Sequence, residues 1–197
     1  MEITTDLIMK LRKLTNAGIM DCKNALKEVD GDIDGARKIL REKGILKMQS
    51  RQDRLSDEGQ VFSYIHPGGK VGVMVEIASE TDFVAKSDNF TKLLKETALQ
   101  IAGMKPSYTQ KEDVPEDVLE EEKKLLLKNT DLSKKPAEIA EKIVAGKLSK
   151  FYADTCLLEQ PYFRDEKVKF KDYFNEAASS FGEAVKINRF TRYEIGQ

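Results

Sequence analysis

Few side chains in this sequence can do covalent chemistry. His66 is the one histidine, and Cys22 and Cys156 are the two cysteines, far apart and in no CxxC pattern. Neither a zinc site nor a Cys–His nucleophilic pair has enough partners in that set. His66 stands before Pro67 at the end of an expected hairpin, a place for a turn residue. Pro67-Gly68-Gly69-Lys70 lacks the spaced first glycine of a phosphate loop and the Ser/Thr that follows its lysine. The sequence has no GxGxxG and no GxSxG. Carboxylates are abundant, but most fall on charged helix faces, where solvation accounts for them. No catalytic residue, no metal ligand and no cofactor is expected, and the chain reads as a non-enzyme.

What remains is the chemistry of recognition. Thr81-Asp82-Phe83-Val84-Ala85-Lys86 is a polar segment carrying one large aromatic. Upstream, Val71, Val73, Val75 and Ile77 alternate as one face of a strand. Downstream, Ser87-Asp88-Asn89-Phe90 reads as a cap leading into a helix. Phe83 has two readings at this point. It turns inward and plugs the junction, or it projects with Asp82 as a rigid probe into a partner.

The elements that must position this segment follow from periodicity. Cap residues at Ile3 to Asp6 precede Leu7, Leu11 and Leu14 at helical spacing. Gly18 breaks that helix, and Cys22, Ala25, Leu26 and Val29 form a second stripe. Asp30-Gly31-Asp32 is a turn and cap, and Ile33, Ala36, Ile39 and Leu40 form a third stripe closed by Gly44. Three short helices of this kind resemble a ubiquitin-associated-like module, the sort that binds partners. Between Lys43 and Glu58 the periodicity fades into a linker or a frayed helix extension, whose basic residues suit a solvated face or phosphate contacts.

A hairpin is expected next, with Val61–His66, the turn Pro67-Gly68-Gly69, and Lys70–Ala78. Helices follow over 89–103 with Gly103 as the stop, from Pro115 to about Asn129, from Lys134-Lys135-Pro136 to Leu157, and over 170–181 with Gly182 as the stop. Val185 to Ile195 alternates as a final strand, with Ile187, Arg189, Thr191, Tyr193 and Ile195 in phase. The class is therefore α+β: an N-terminal three-helix domain, and a core domain with a three-stranded antiparallel sheet packed against helices. The organisation expected is 1–46 helical domain, 47–58 linker and 59–197 core.

At 197 residues and net charge −1, the chain has no global basic field to draw it to nucleic acid or a membrane surface. Its apolar runs are too short to span a bilayer, and Met1-Glu2-Ile3 does not begin a signal peptide. Unpaired cysteines suit a reducing compartment, so the cytoplasm is expected.

Several stretches together resemble the elongation factor Ts family. They are Leu11-Arg12, Thr15, Ala17 to Leu26, Gly31-Asp32-Ile33 and Lys43-Gly44 near the start. Tyr64 to Gly69 and Glu80 to Lys86 follow, then Lys142 to Lys147 and Cys156 to Tyr162. Order and spacing carry the resemblance, which extends over nearly the whole chain. Two departures stand out: Ala78-Ser79 precedes the Glu-Thr-Asp-Phe-Val motif where Asn-Cys or similar is common, and Met48 to Ser56 is unlike the usual Ala/Lys-rich stretch.

The resemblance implies a guanine-nucleotide exchange factor for elongation factor Tu that binds Tu·GDP, displaces Mg²⁺ and lets GDP leave. It implies that Thr81, Asp82, Phe83 and Val84 enter near the magnesium and phosphate site of Tu. Arg12, Ile19, Met20 and Lys23 of the N-terminal module would contact a helix of its nucleotide-binding domain. Short members typically act as homodimers binding two Tu molecules, with no nucleotide site of their own. The competing reading is a protein-binding adaptor built on the ubiquitin-associated-like module. RNA binding through Lys43–Arg54 is disfavoured because no aromatic stacking set accompanies the basic residues.

Overall fold

A computed structural model describes residues 3–15, 17–49, 57–128 and 137–196. The three N-terminal stripes become α1 (Thr5–Thr15), α2 (Ile19–Glu28) and α3 (Ile33–Gln49). They close on a shared cluster of Ile8, Leu11, Cys22, Ala25, Leu26, Ala36 and Leu40. The turn into α3 is built as its sequence demands. Gly31 takes φ +89° and donates its N–H to Leu26 O at 2.8 Å, and the Asp32 carboxylate caps the N–H groups of Asp34 and Gly35.

Two details differ from the sequence reading. Leu14, counted in the buried stripe, is exposed, because the inward face of α1 is centred on Ile8 and Leu11 and the helix ends one residue after Leu14. Gly44 does not end α3, which continues to Gln49. Its bare backbone serves a different purpose: a Cβ there would lie 3.0 Å from Ser179 Cβ, so glycine permits a close approach. The expected linker 47–58 falls mostly outside the described residues, at 50–56.

The remaining elements are strands β1 (Glu58–Ile65) and β2 (Val71–Ser79), a single helical turn α4 (Asp82–Ala85), and helices α5 (Asp88–Met104), α6 (Glu116–Lys128) and α7 (Ala137–Thr155). They are followed by β3 (Pro161–Tyr162), β4 (Asp165–Lys169), α8 (Phe170–Ser179) and β5 (Val185–Glu194). The main sheet is three-stranded and antiparallel, in the order β1-β2-β5, so the fold is α+β. Val73, Val75 and Ile77 of β2 are buried, as their alternation predicts. Helix α5 runs one residue past Gly103; Lys105 takes the left-handed position at φ +50°, with its N–H on Ile101 O. Helix α7 stops at Thr155 rather than Leu157, and its expected opening at 134–136 lies outside the described residues. The β3–β4 hairpin was not foreseen, because two residues on one side and Asp165-Glu166-Lys167-Val168-Lys169 on the other carry no strand signal.

The chain divides into two compact units. One comprises Met1–Gln60, Ile77–Leu93 and Phe174–Lys186; the other comprises Val61–Glu76, Leu94–Tyr173 and Ile187–Gln197. In the first, Phe90 packs edge-on against Phe181 with ring centroids 5.8 Å apart. In the second, two fully buried glutamines join three segments. Gln160 donates to the carbonyls of Met104 and Asp154 at 2.9 and 3.1 Å. Gln100 donates to Pro161 O at 3.0 Å and accepts the Phe163 N–H at 2.9 Å. Glu96, also buried, accepts the Tyr162 hydroxyl and a two-pronged Arg164 contact at 2.7 and 2.8 Å.

Candidate functional site

The segment singled out in the sequence folds as one helical turn with a cap at each end. Thr81 is extended (φ −130°, ψ 153°), and its hydroxyl accepts the Val84 N–H at 3.4 Å. Lys86 N–H closes on Asp82 O at 3.0 Å. Ser87 then serves twice: its hydroxyl donates to Val84 O at 2.8 Å and accepts the Phe90 N–H at 3.2 Å, which starts α5. A turn this short has one buried side. Val84 and Ala85 occupy it, so Thr81, Asp82, Phe83 and Lys86 face solvent.

Phe83 is 82% exposed. The inward-plug reading is therefore excluded, since a plugging ring would be among the most buried groups in the chain. Val84, expected among the contacting residues, is buried and anchors the turn from below. Asp82 is held beside Lys86, Oδ2 to Nζ at 2.7 Å. The hydrogen bond and charge of Lys86 push the Asp82 carboxyl below its usual range, so it carries full negative charge at neutral pH. The Ala78-Ser79 departure is accommodated: Ser79 is buried, with its hydroxyl donating to Thr81 O at 2.9 Å.

A residue that sequence reasoning missed holds the entry to the turn. Glu183 accepts both the Thr81 N–H and the Thr81 hydroxyl, while Glu80 accepts the Ala184 N–H. No local pattern announces a partner 102 positions away.

The second set of candidates lies where α2 begins. Gly18 is extended (φ −60°, ψ 148°) and opens the helix without a side-chain cap, so Ile19 and Met20 stand in the first turn. Both are exposed, Met20 at 64%. Arg12 is also exposed and Lys23 is half-buried. Leu14 and Met9 of α1 are exposed apolar residues as well, and neither was counted with these candidates from sequence. Met9 carried a signal, since it lies off the Leu7, Leu11 and Leu14 stripe; Leu14, in phase with that stripe, carried none.

The chemically capable residues stay apart. Cys22 and Cys156 are buried, and burial raises both thiol pKa values, away from reactive thiolate. His66 Nδ1 lies 2.9 Å from the Tyr64 hydroxyl, and His66 O accepts the Gly69 N–H, consistent with service in the hairpin turn. Among the described residues, no group of three or more His, Cys, Asp or Glu is placed to hold a metal ion. None of the described helices is long and apolar enough to cross a membrane.

An exposed aromatic on a capped turn and an exposed apolar helix start are features for docking. Comparison with known proteins identifies the family. The family described as Elongation factor TS matches residues 10–197. The chain belongs to the elongation factor Ts family. Elongation factor Ts of Thermotoga neapolitana is 46% identical over 197 residues, covering 100% of this chain and 99% of that protein. The Coprothermobacter proteolyticus protein of the same name is 47% identical over 197 residues, covering 100% of both. That of Caldanaerobacter subterraneus subsp. tengcongensis is 47% identical over 195 residues, covering 99% of this chain and 98% of its own length. Membership of the elongation factor Ts family gives the chain a part in translation elongation, and the match takes in the N-terminal helices as well as the core.

Proposed function

We propose that this member of the elongation factor Ts family is a guanine-nucleotide exchange factor for elongation factor Tu, acting in the cytoplasm. The observation that carries the reading is Phe83, 82% exposed at the crest of a turn whose Val84 and Ala85 are buried beneath it. Leaving such a ring in water forgoes about 2 kcal/mol of burial, a cost that a partner's pocket recovers. Asp82 and Phe83 enter beside the magnesium and phosphates held by Tu. Mg²⁺ bridges phosphate oxygens and protein ligands, so disturbing those ligands loosens GDP without this chain touching the nucleotide. It catalyses no covalent step. Coupling is reciprocal: whatever factor this chain takes from the affinity of Tu for GDP, GDP takes from the affinity of Tu for this chain.

The helical module 1–46 is the second docking point, joined by the linker 47–58 to the core 59–197. Arg12, Ile19, Met20 and Lys23 form its contact surface, which Leu14 extends. Release of a fluorescent GDP from Tu, followed with and without saturating protein, tests the proposal. Acceleration is expected; an unchanged rate rejects exchange activity and leaves an adaptor.

A homodimer also has an observation in its favour. Val61, Ile65, Met74, Tyr193 and Ile195 are all exposed. Ile65 reaches over Gly72, which shares a face of β2 with Met74, and Tyr193 alternates with Arg192, whose guanidinium points the other way onto Ala102 O in α5. These apolar side chains stand exposed on a sheet face that also carries the Glu76–Arg189 ion pair, a surface suited to pairing with its own copy. Replacing Met74 and Ile195 together with glutamate is expected to give a monomer in sedimentation equilibrium. A dimer that persists in the double variant places the interface elsewhere.

A further inference from the structure

Glu183 lies in the turn between α8 and β5, just after Gly182 at φ +72°. Its carboxylate receives the Thr81 N–H on Oε2 at 3.1 Å and the Thr81 hydroxyl at 2.8 Å on Oε1 and 3.0 Å on Oε2. In the other direction, Glu80 Oε1 accepts the Ala184 N–H at 2.7 Å. Two neighbouring residues on each segment are therefore cross-bonded, each pair supplying one carboxylate and one backbone N–H. The Thr81 hydroxyl has a single proton. Because Glu183 takes it, the oxygen lone pairs are left for the Val84 N–H, the bond that starts the turn carrying Phe83.

We propose that Glu183 is a positioning residue for exchange: it fixes Thr81, and through Thr81 the direction in which Phe83 leaves the surface. This rests on the reading of Phe83 as the group inserted into the partner. Glu183 need not touch Tu to matter. Its side chain is short of the probe by two residues and acts on the rotor that caps the turn. Misplacing an inserted group by about 1 Å is enough to lose orders of magnitude in a step that depends on fit.

The test is a double-substitution cycle with a second measurement on the free protein. Glu183→Ala is expected to slow stimulated GDP release by about tenfold or more on that basis, and Glu183→Gln, which keeps one acceptor oxygen, is expected to fall between it and the unsubstituted chain. In a Phe83→Ala background, Glu183→Ala is expected to change little, because the group it aims is gone; a general loss of structure would slow both backgrounds alike. Equal ratios in the two backgrounds overturn the proposal. Should Phe83→Ala exchange as fast as the unsubstituted chain, the reading of Phe83 itself fails, and that result is distinct from equal ratios. Amide hydrogen exchange of Thr81 and Val84 in the free protein judges the clamp independently of Tu. Faster exchange at both amides in Glu183→Ala, and not in Phe83→Ala, is expected, and unchanged protection overturns the assignment.

Discussion

Phe83→Ala is expected to lose most of the exchange activity while melting at the same temperature as the unsubstituted chain. An aromatic anchor inserted into a partner's pocket is worth about 2 kcal/mol or more when truncated, roughly a 30-fold loss in stimulated GDP release. The fold has little to lose. The ring is 82% exposed, and the turn is held by Val84, Ala85 and its two caps. Thermal unfolding and GDP release measured on one preparation separate the two effects. A variant that releases GDP normally, or that loses cooperative unfolding, overturns the assignment of the ring as a probe.

Gly59→Ala is expected to produce a large loss of stability from a single added methyl group. Gly59 sits at φ +145°, a conformation that L side chains rarely adopt. The space is closed as well: a Cβ there would overlap the Ile77 carbonyl oxygen and lie 2.7 Å from Ala78 Cα. The neighbouring atoms are backbone of the central strand and cannot rotate away. Strain and overlap together predict a loss of about 3 kcal/mol or more, which lowers the unfolding temperature by roughly 10 °C for a chain of this size. Gly69→Ala is the control. It has φ +68° but nothing within 4 Å of a built Cβ, so only the left-handed strain of about 1 kcal/mol applies. Equal melting of the two variants would show that the close approach to Ile77 is not a constraint.

These glycines show what local sequence could and could not convey. A glycine near the end of an apolar stripe reads as a helix stop, and at Gly18 and Gly182 the helix does end nearby. Gly44 and Gly103 carry the same signal for other reasons. The first makes room for Ser179, and the second lies within the last turn of α5 while Lys105 takes the left-handed position. Composition gives no means of telling these uses apart. The alternation of Val71, Val73, Val75 and Ile77 was legible because burial on one face of a strand is a local, period-two constraint. Burial of Gln100 and Gln160 was not, since glutamine is ordinarily exposed and these two are satisfied by backbone groups that tertiary structure brings to them.

The Thr81–Lys86 segment divides along the same line. Its caps, Thr81 and Ser87, were readable as residue types, and the resemblance supplied its expected role. Whether Phe83 turned in or out could not be read from an aromatic between two elements. The answer depends on which residues of one helical turn face the protein, and two adjacent small apolar residues, Val84 and Ala85, claim that side.

The central strand of the sheet and the turn that follows it both depend on the end of the chain. β2 gains its second neighbour from β5, and the Thr81 N–H and hydroxyl both donate to Glu183. On the ribosome the N-terminal helices and the β1–β2 hairpin emerge first, and the residues that complete the sheet and set the turn emerge about 100 residues later, several seconds at ordinary elongation rates. A chain cut short anywhere in that interval lacks both β5 and Glu183. On the proposal that Glu183 aims Phe83, an unfinished copy is expected to compete poorly for the partner.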